Sequence, residues 1–298
     1  MGVRSLVRSV GAAAFHPREA RQIAWLSPDV RHLALETVAS VKPPNLYRLA
    51  GTFGILTKHY AGLASRNALP DPEKALRWPD GLAGVCAELS APTLRAAYAR
   101  GLYPSSQIGP QTWWAPAMRM VLFIENFHIE QNVRQRLRHR DLRVTFDHDF
   151  GAVIRACAGA RGQRMGPGLI EAFMAAFQAG LAHSAEVWDR SGALAGGIFG
   201  LAIGKVFFTE AQFARARDAS KVGFTALNCH LQRWGYLLND GKHVSGQLSQ
   251  LGFTPIPRNS FNALLAMACT KTGREGRWAV DESINLAGWN PKATIAAQ

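Results

Sequence analysis

Apolar and polar positions divide the chain into alternating short strands and helices, and the clearest pattern lies in residues 183–221. There β-branched and aromatic residues are punctuated by glycine. A strand runs through Trp188, a turn forms at Arg190-Ser191-Gly192, a second strand runs through Ile203, and a tight turn at Gly204-Lys205 leads into a third over 206–209. This spacing predicts a β-meander. The chain then leaves the sheet through 210–217, and Asp218 or Ser220 caps a helix whose apolar positions Leu227, Leu231, Trp234 and Leu238 share one face. Upstream, Ser90-Ala91-Pro92 reads as an N-cap with proline in the first turn of a helix through Arg100. Residues 120–124 and 144–146 follow as strands, and 129–140, 150–158 and 168–179 as helices, the last ended by Gly180. Residues 244–248 and 253–256 are expected to close the sheet, 261–268 to form a helix, and the tail after Lys271 to be irregular.

Composition narrows the picture. With 298 residues, 48% of them hydrophobic, the chain is long enough for a sizeable core in one or two domains. Its 34 basic and 21 acidic residues give a net charge of +13, which points to an anionic partner, nucleic acid ahead of a membrane surface. The densest basic run is Arg134, Arg136, Arg138 and Arg140 on one predicted helix, either a solvated face or a phosphate-contact surface. Cys86, Cys157, Cys229 and Cys269 are too scattered for a disulfide framework or a metal site, so buried thiols in a reducing compartment are expected. The longest apolar runs, 194–203 and 261–269, fall short of the roughly 20 residues a membrane-spanning helix needs. Residues 1–18 have the composition of a transit peptide or of a disordered basic tail.

Several side chains carry two readings each. Glu210, just past a strand, is a carboxylate for a basic ligand or a surface acid, and Glu186 inside an apolar strand is as plausibly structural. Trp113 and Trp114 line an interface or simply pack, and Phe213 walls a pocket or fills the core. His183 and Glu186, three apart in a strand, point to opposite faces, so they form no metal pair, and His183 reads as a core histidine.

The motifs His183-Ser184, Glu186-Val187-Trp188, Gly196-Gly197, Gly200, Gly204, Phe207, Glu210, Phe213, Arg215 and Ala219-Ser220-Lys221 carry a resemblance, extended by Trp113-Trp114-Ala115-Pro116 and Ile256-Pro257-Arg258. Over residues 66–265 the chain resembles the leucyl/phenylalanyl-tRNA-protein transferase family, which moves an amino acid from charged tRNA onto a protein N-terminus. The resemblance implies an α/β (α+β) fold: an extension over 1–65, a small N-terminal domain over 66–125, an acetyltransferase-like (GNAT-like) domain over 126–270 with a central, mostly antiparallel sheet, and a tail over 271–298. It also implies a cytoplasmic monomer without cofactor, taking Leu or Phe from aminoacyl-tRNA to acceptor proteins that begin with Arg or Lys, a mark for degradation. Coenzyme A is disfavoured because 212–217 contains no glycine to approach a pyrophosphate.

An aminoacyl ester is already activated, so transfer requires chiefly proximity and a neutral amine. The resemblance implies that Gln247 orients that amine and that Ser245 stands where the family has an Asp two residues ahead of the Gln. It makes Glu210 the reader of a basic acceptor, Phe213, Trp114 and Trp188 substrate-lining residues, and Arg134, Arg136, Arg138 and Arg140 the contacts to tRNA. Ser105 and Arg164 stand in place of two family tryptophans, and with Ser245 these departures leave two alternatives open: a tRNA-binding pseudoenzyme that has lost transfer, and a transferase with a changed donor or acceptor.

Overall fold

A computed structural model describes residues 68–105, 111–139, 141–160 and 165–290, with Gly54, Ile55 and Thr57. Nearly all of the expected N-terminal extension, Arg140 and Arg164 lie outside the described residues. The fold is of the mixed α/β class expected.

A small sheet comes first, built from β1 (Leu82–Val85), β2 (Tyr103–Ser105) and β3 (Thr112–Trp114) in the order β1-β3-β2. Helix α1 (Ala91–Ala99) connects β1 to β2; Ser90 caps it by accepting from the Thr93 amide, and Gly101 beyond its end takes φ +79°. Strands this short leave almost no periodic signal, which is why the sequence pattern does not reveal them.

The larger sheet has seven strands: β4 (Met118–Phe123), β5 (Arg143–Phe146), β6 (Ala182–Trp188), β7 (Leu194–Ile203), β8 (Val206–Ala214), β9 (Leu238–Lys242) and β10 (Thr254–Pro257), in the order β10-β4-β9-β8-β7-β6-β5. The predicted meander is β6-β7-β8, and β8 runs five residues past the expected end at Thr209. Every pairing is antiparallel except β8 with β9, which is parallel from Val206↔Leu238 to Phe208↔Asp240. Parallel neighbours need a crossover, and α5 (Ala219–Arg233) supplies it.

The structure corrects two expectations. The helix does not reach Leu238: it ends at Trp234, where Gly235 enters the left-handed region at φ +70°. The 3.6-residue spacing runs on past that break by coincidence, and Leu238 opens β9 instead. The strand expected over 244–248 is a short helix, α6 (Gly246–Gln250), the closing strand lying a few residues earlier.

Strand parity sorts the core. Phe199, Leu201 and Phe208 face α3 (Phe150–Ala158) and α4 (Pro167–Gln178), whereas Ile198 and Phe207 face α5. Each fully buried phenylalanine contributes about 1.5–3 kcal/mol of transfer free energy. Helix α2 (Gln131–Arg138) packs on α5, and α7 (Arg258–Ala268) lies over β4 and β10.

Over the described residues 271–290 the chain is irregular and lies as a strap across α5. Trp278 stacks on His183 at 3.8 Å and its amide donates to Asp147, the Asp281 amide donates to His230 Nε2 at 2.9 Å, and Trp289 Nε1 donates to Gln232. Arg134 closes the strap by donating to the carbonyls of Ala287 and Trp289.

Candidate active site

The parallel pair β8–β9 separates after Phe208↔Asp240, and both strands are irregular where it does. On β8, Gly200 pairs with Thr209 and Phe199 with Ala211, so Glu210 is an inserted, unpaired residue. On β9, Met120 pairs with Lys242 and Val121 with Asp240, so Gly241 is inserted in the same way. A bulge bends its strand and re-aims a side chain. The two bulges open a fork, and Glu210, Asp240 and Lys242 all stand in it.

Four charged side chains meet there. Arg119, from β4, grips Asp240 with two parallel hydrogen bonds of 2.8 Å and donates a third to the Gly101 carbonyl at 2.9 Å. Its guanidinium lies between the rings of Tyr103 and Phe261. Lys242 adopts φ +67°, its amide donating to Asp240, and sends its ammonium back across the fork to the Glu210 carboxylate and the Thr209 carbonyl. The same ammonium faces the rings of Tyr98 and Tyr103. Tyr98, from α1, donates its hydroxyl to Glu210 Oε1 at 2.5 Å, tying the small sheet's helix to the fork.

Burial pushes the hydroxyls of Tyr98 and Tyr103 well above the ordinary tyrosine range, so both remain protonated donors. Burial also lowers the Lys242 ammonium, with Glu210 pulling the other way. Both Lys242 and Glu210 side chains are only 8% exposed. The arrangement provides a hydrogen-bonding carboxylate where two parallel strands diverge beyond their carboxyl ends, the place where open α/β sheets bind ligands.

Among the described residues, the structure brings only one of the expected site residues, Glu210, into the fork. Ser245 is the half-buried N-cap of α6, and Gln247 is exposed on it. Phe213 is buried three residues beyond Glu210, against Gly197, with Arg215 over its ring. Trp114 is buried in β3, its indole donating to Thr112, and Trp188, at the end of β6, pairs with Leu194 at the start of β7 and donates its indole N–H to Thr145. Ser105 pairs with Thr112 at the end of β2. Lys242, Asp240, Arg119, Tyr98 and Tyr103 went unassigned in the sequence. A signal for two of them is present: Asp240-Gly241-Lys242 has the spacing, an Asp two residues ahead of a polar side chain, that the resemblance implies for the positions of Ser245 and Gln247.

Glu186 is structural: fully buried, it accepts from Ser184, Thr145 and the His148 amide. Burial raises its pKa, opposed by those donors. His183 is buried against Asp147 at 2.8 Å. All four thiols are shifted up by burial, Cys157 and Cys269 to about 12, which disfavours the reactive thiolate.

The basic helix divides its arginines. Arg134 is committed to the strap, Arg136 pairs with Asp141, and Arg138 is exposed. Beside them Arg136, His139, Asp141, Leu142, Asp189 and Arg190 help line an open cleft of about 540 Å³. Among the described residues no helix is long and apolar enough to cross a membrane.

Comparison with known proteins places the chain. The family described as leucyl/phenylalanyl-tRNA protein transferase matches residues 121–266. The leucyl/phenylalanyl-tRNA–protein transferases of Stutzerimonas stutzeri and Azotobacter vinelandii are each 43% identical to it, over 67% and 66% of this chain and 90% and 89% of their own lengths. That of Methylococcus capsulatus is 42% identical, over 67% of this chain and 87% of its own. Among solved structures, that of L-PGS from Bacillus licheniformis is similar with a TM-score of 0.32 and 13% identity, over 61% of this chain and 63% of that one.

Proposed function

Because the chain belongs to the leucyl/phenylalanyl-tRNA–protein transferase family, we propose that it transfers leucine or phenylalanine from charged tRNA to the N-terminal amine of an acceptor protein, at the fork between β8 and β9. The observation that supports this site best is Glu210, set by its bulge at the rim of the fork with both its bonds on Oε1. Its Oε2, to which no described residue bonds, is able to take an N–H of the incoming amine. The neutral amine nitrogen attacks the ester carbonyl carbon, an amide bond forms, and the ester C–O bond breaks. The terminal ribose hydroxyl of the tRNA leaves with the proton that the amine sheds. Little chemical assistance is needed, because an α-amine with a pKa near 8 is partly neutral at physiological pH and the ester is activated.

Asp240 fixes Arg119 and the Lys242 backbone, and so positions the fork rather than reacting in it. Ser245 and Gln247, on the exposed helix beyond β9, are assigned to the approach of the substrate. Arg136 and Arg190, which line the open cleft, and the exposed Arg138 on α2 are assigned to tRNA phosphates, while Arg134 and its strap brace that surface. The acceptor side chain expected from the resemblance is Arg or Lys, read by Glu210, and the reaction is placed in the cytoplasm.

The direct test incubates the purified protein with leucyl-tRNA or phenylalanyl-tRNA and peptides of differing first residue. The expected result is a mass increase of one leucyl or phenylalanyl residue at the peptide N-terminus, lost in Glu210→Ala. Absence of product with every peptide, with tRNA still bound, would reduce the protein to a tRNA-binding relative of the enzymes.

A further inference from the structure

Read from sequence, Glu210 is a free carboxylate waiting for a cation; in the folded protein a cation already sits on it. The Lys242 ammonium has the environment that a basic side chain of a substrate would require: the Glu210 carboxylate, the Thr209 carbonyl at 3.0 Å, and the rings of Tyr98 and Tyr103 at 5.8 and 5.3 Å. Two carbonyl-type oxygens and two aromatic faces make up a cation-binding site.

The charges in the fork also balance. Arg119 and Lys242 are positive, Asp240 and Glu210 negative, and none of the four side chains is more than 8% exposed. A guanidinium or ammonium arriving with an acceptor either leaves the fork with one uncompensated buried positive charge or has to drive Lys242 out. Both are unfavourable, since a buried charge without a partner is costly. An uncharged side chain meets neither obstacle, and its neutral amine still finds Glu210 Oε2, to which no described residue bonds.

The geometry of Lys242 is built in rather than incidental. The Gly241 bulge and the left-handed backbone at Lys242, held by the Asp240 side chain, turn the ammonium back into the fork instead of out to solvent. A Cβ on Gly241 would lie 2.7 Å from Leu248 and 3.0 Å from Phe253, so α6 and the turn into β10 pack the bulge in place.

We propose that Lys242 is a specificity-determining residue that competes with the acceptor's own cation for Glu210, shifting the acceptor range from N-terminal Arg and Lys toward N-termini with uncharged side chains. The inference rests on the transferase reading above and concerns which acceptor that site selects. It gives Lys242 no part in bond making: its effect is on the choice of amine.

The test uses the full chain, leucyl-tRNA, and four peptides identical except for a first residue of Arg, Lys, Met or Gln. Specificity is read as kcat/KM from the mass-resolved product. The unaltered protein is expected to use the Met and Gln peptides at least as well as the Arg and Lys peptides. Lys242→Met, which keeps the length and removes the charge, is expected to raise the Arg:Met ratio about tenfold or more, and Lys242→Arg to leave it unchanged. A wild-type preference of tenfold or more for Arg and Lys overturns the inference while leaving the transferase reading intact, and it does so even if Lys242→Met fails to fold. An unchanged ratio in a folded Lys242→Met protein overturns it equally. No product with any of the four peptides overturns the transferase reading and this inference with it.

Discussion

At the scale of single residues, the fork depends on pairs more than on individuals. Removing one member of a buried ion pair strands the other, so Glu210→Gln is expected to destabilise the protein by about 3 kcal/mol in denaturant titrations. Glu210→Gln combined with Lys242→Met should cost less than that single change, because the double variant leaves no charge unmatched; strict additivity would argue against direct coupling. His230 gives a second residue-scale prediction. Its Nδ1 donates to the Ala226 carbonyl and its Nε2 accepts from the Asp281 amide, so the ring is bound as the neutral form, and burial holds its pKa below the ordinary value. The unfolded chain therefore binds the proton more readily. Stability attributable to this group is complete above about pH 6.5 and is lost as pH falls through that value toward the lower folded one. Denaturation midpoints measured between pH 8 and pH 5 should show this loss, and His230→Gln, which cannot gain a proton, should flatten the profile. Of these residues only Glu210 stood out in the sequence. Lys242 did not, because a lysine ordinarily belongs to solvent, and what turns it inward is a backbone conformation that one chain segment does not announce.

At the scale of elements, the meander was legible and the fork was not. Glycine-marked turns at Gly192 and Gly204, both left-handed, separate long runs of strand-forming residues, so β6, β7 and β8 follow from local chemistry. Both bulges, by contrast, are properties of pairing between strands, and a bulge shifts register without altering the composition of either one. The Gly200 position shows how tightly the first bulge is packed. A Cβ there would fall 2.2 Å from the Phe208 carbonyl oxygen and 2.7 Å from the Phe207 ring. Gly200→Ala is accordingly expected to cost about 3 kcal/mol or more, and to impair acceptor transfer at temperatures where the fold survives, because relief of the clash requires β8 to move and Glu210 moves with it. A thermal midpoint within about two degrees of the parent would argue against that packing. The small sheet was illegible for a simpler reason: β1, β2 and β3 hold four, three and three residues, too few for a period to emerge.

At the scale of the whole molecule, the +13 charge and the open cleft near α2 belong to one argument about tRNA. Arg138, exposed at the end of α2, is expected on Arg138→Glu to weaken tRNA binding and to lower the slope of log affinity against log salt by about one, with folding unchanged. An unaltered slope would remove Arg138 from the phosphate contacts. Arg134→Ala should act differently, loosening the strap through the carbonyls of Ala287 and Trp289 and lowering stability before it affects the salt dependence. The strap has one more consequence, and it concerns time. The family match ends at residue 266, and the segment that stacks Trp278 on His183 and bonds Asp281 to His230 comes after it. A chain still attached at its C-terminus to the ribosome has made all seven strands of the large sheet before the strap emerges to cover the far side of α5. Docking of the strap therefore follows the sheet in the order of synthesis, and the stacking of Trp278 on His183 is its structural mark.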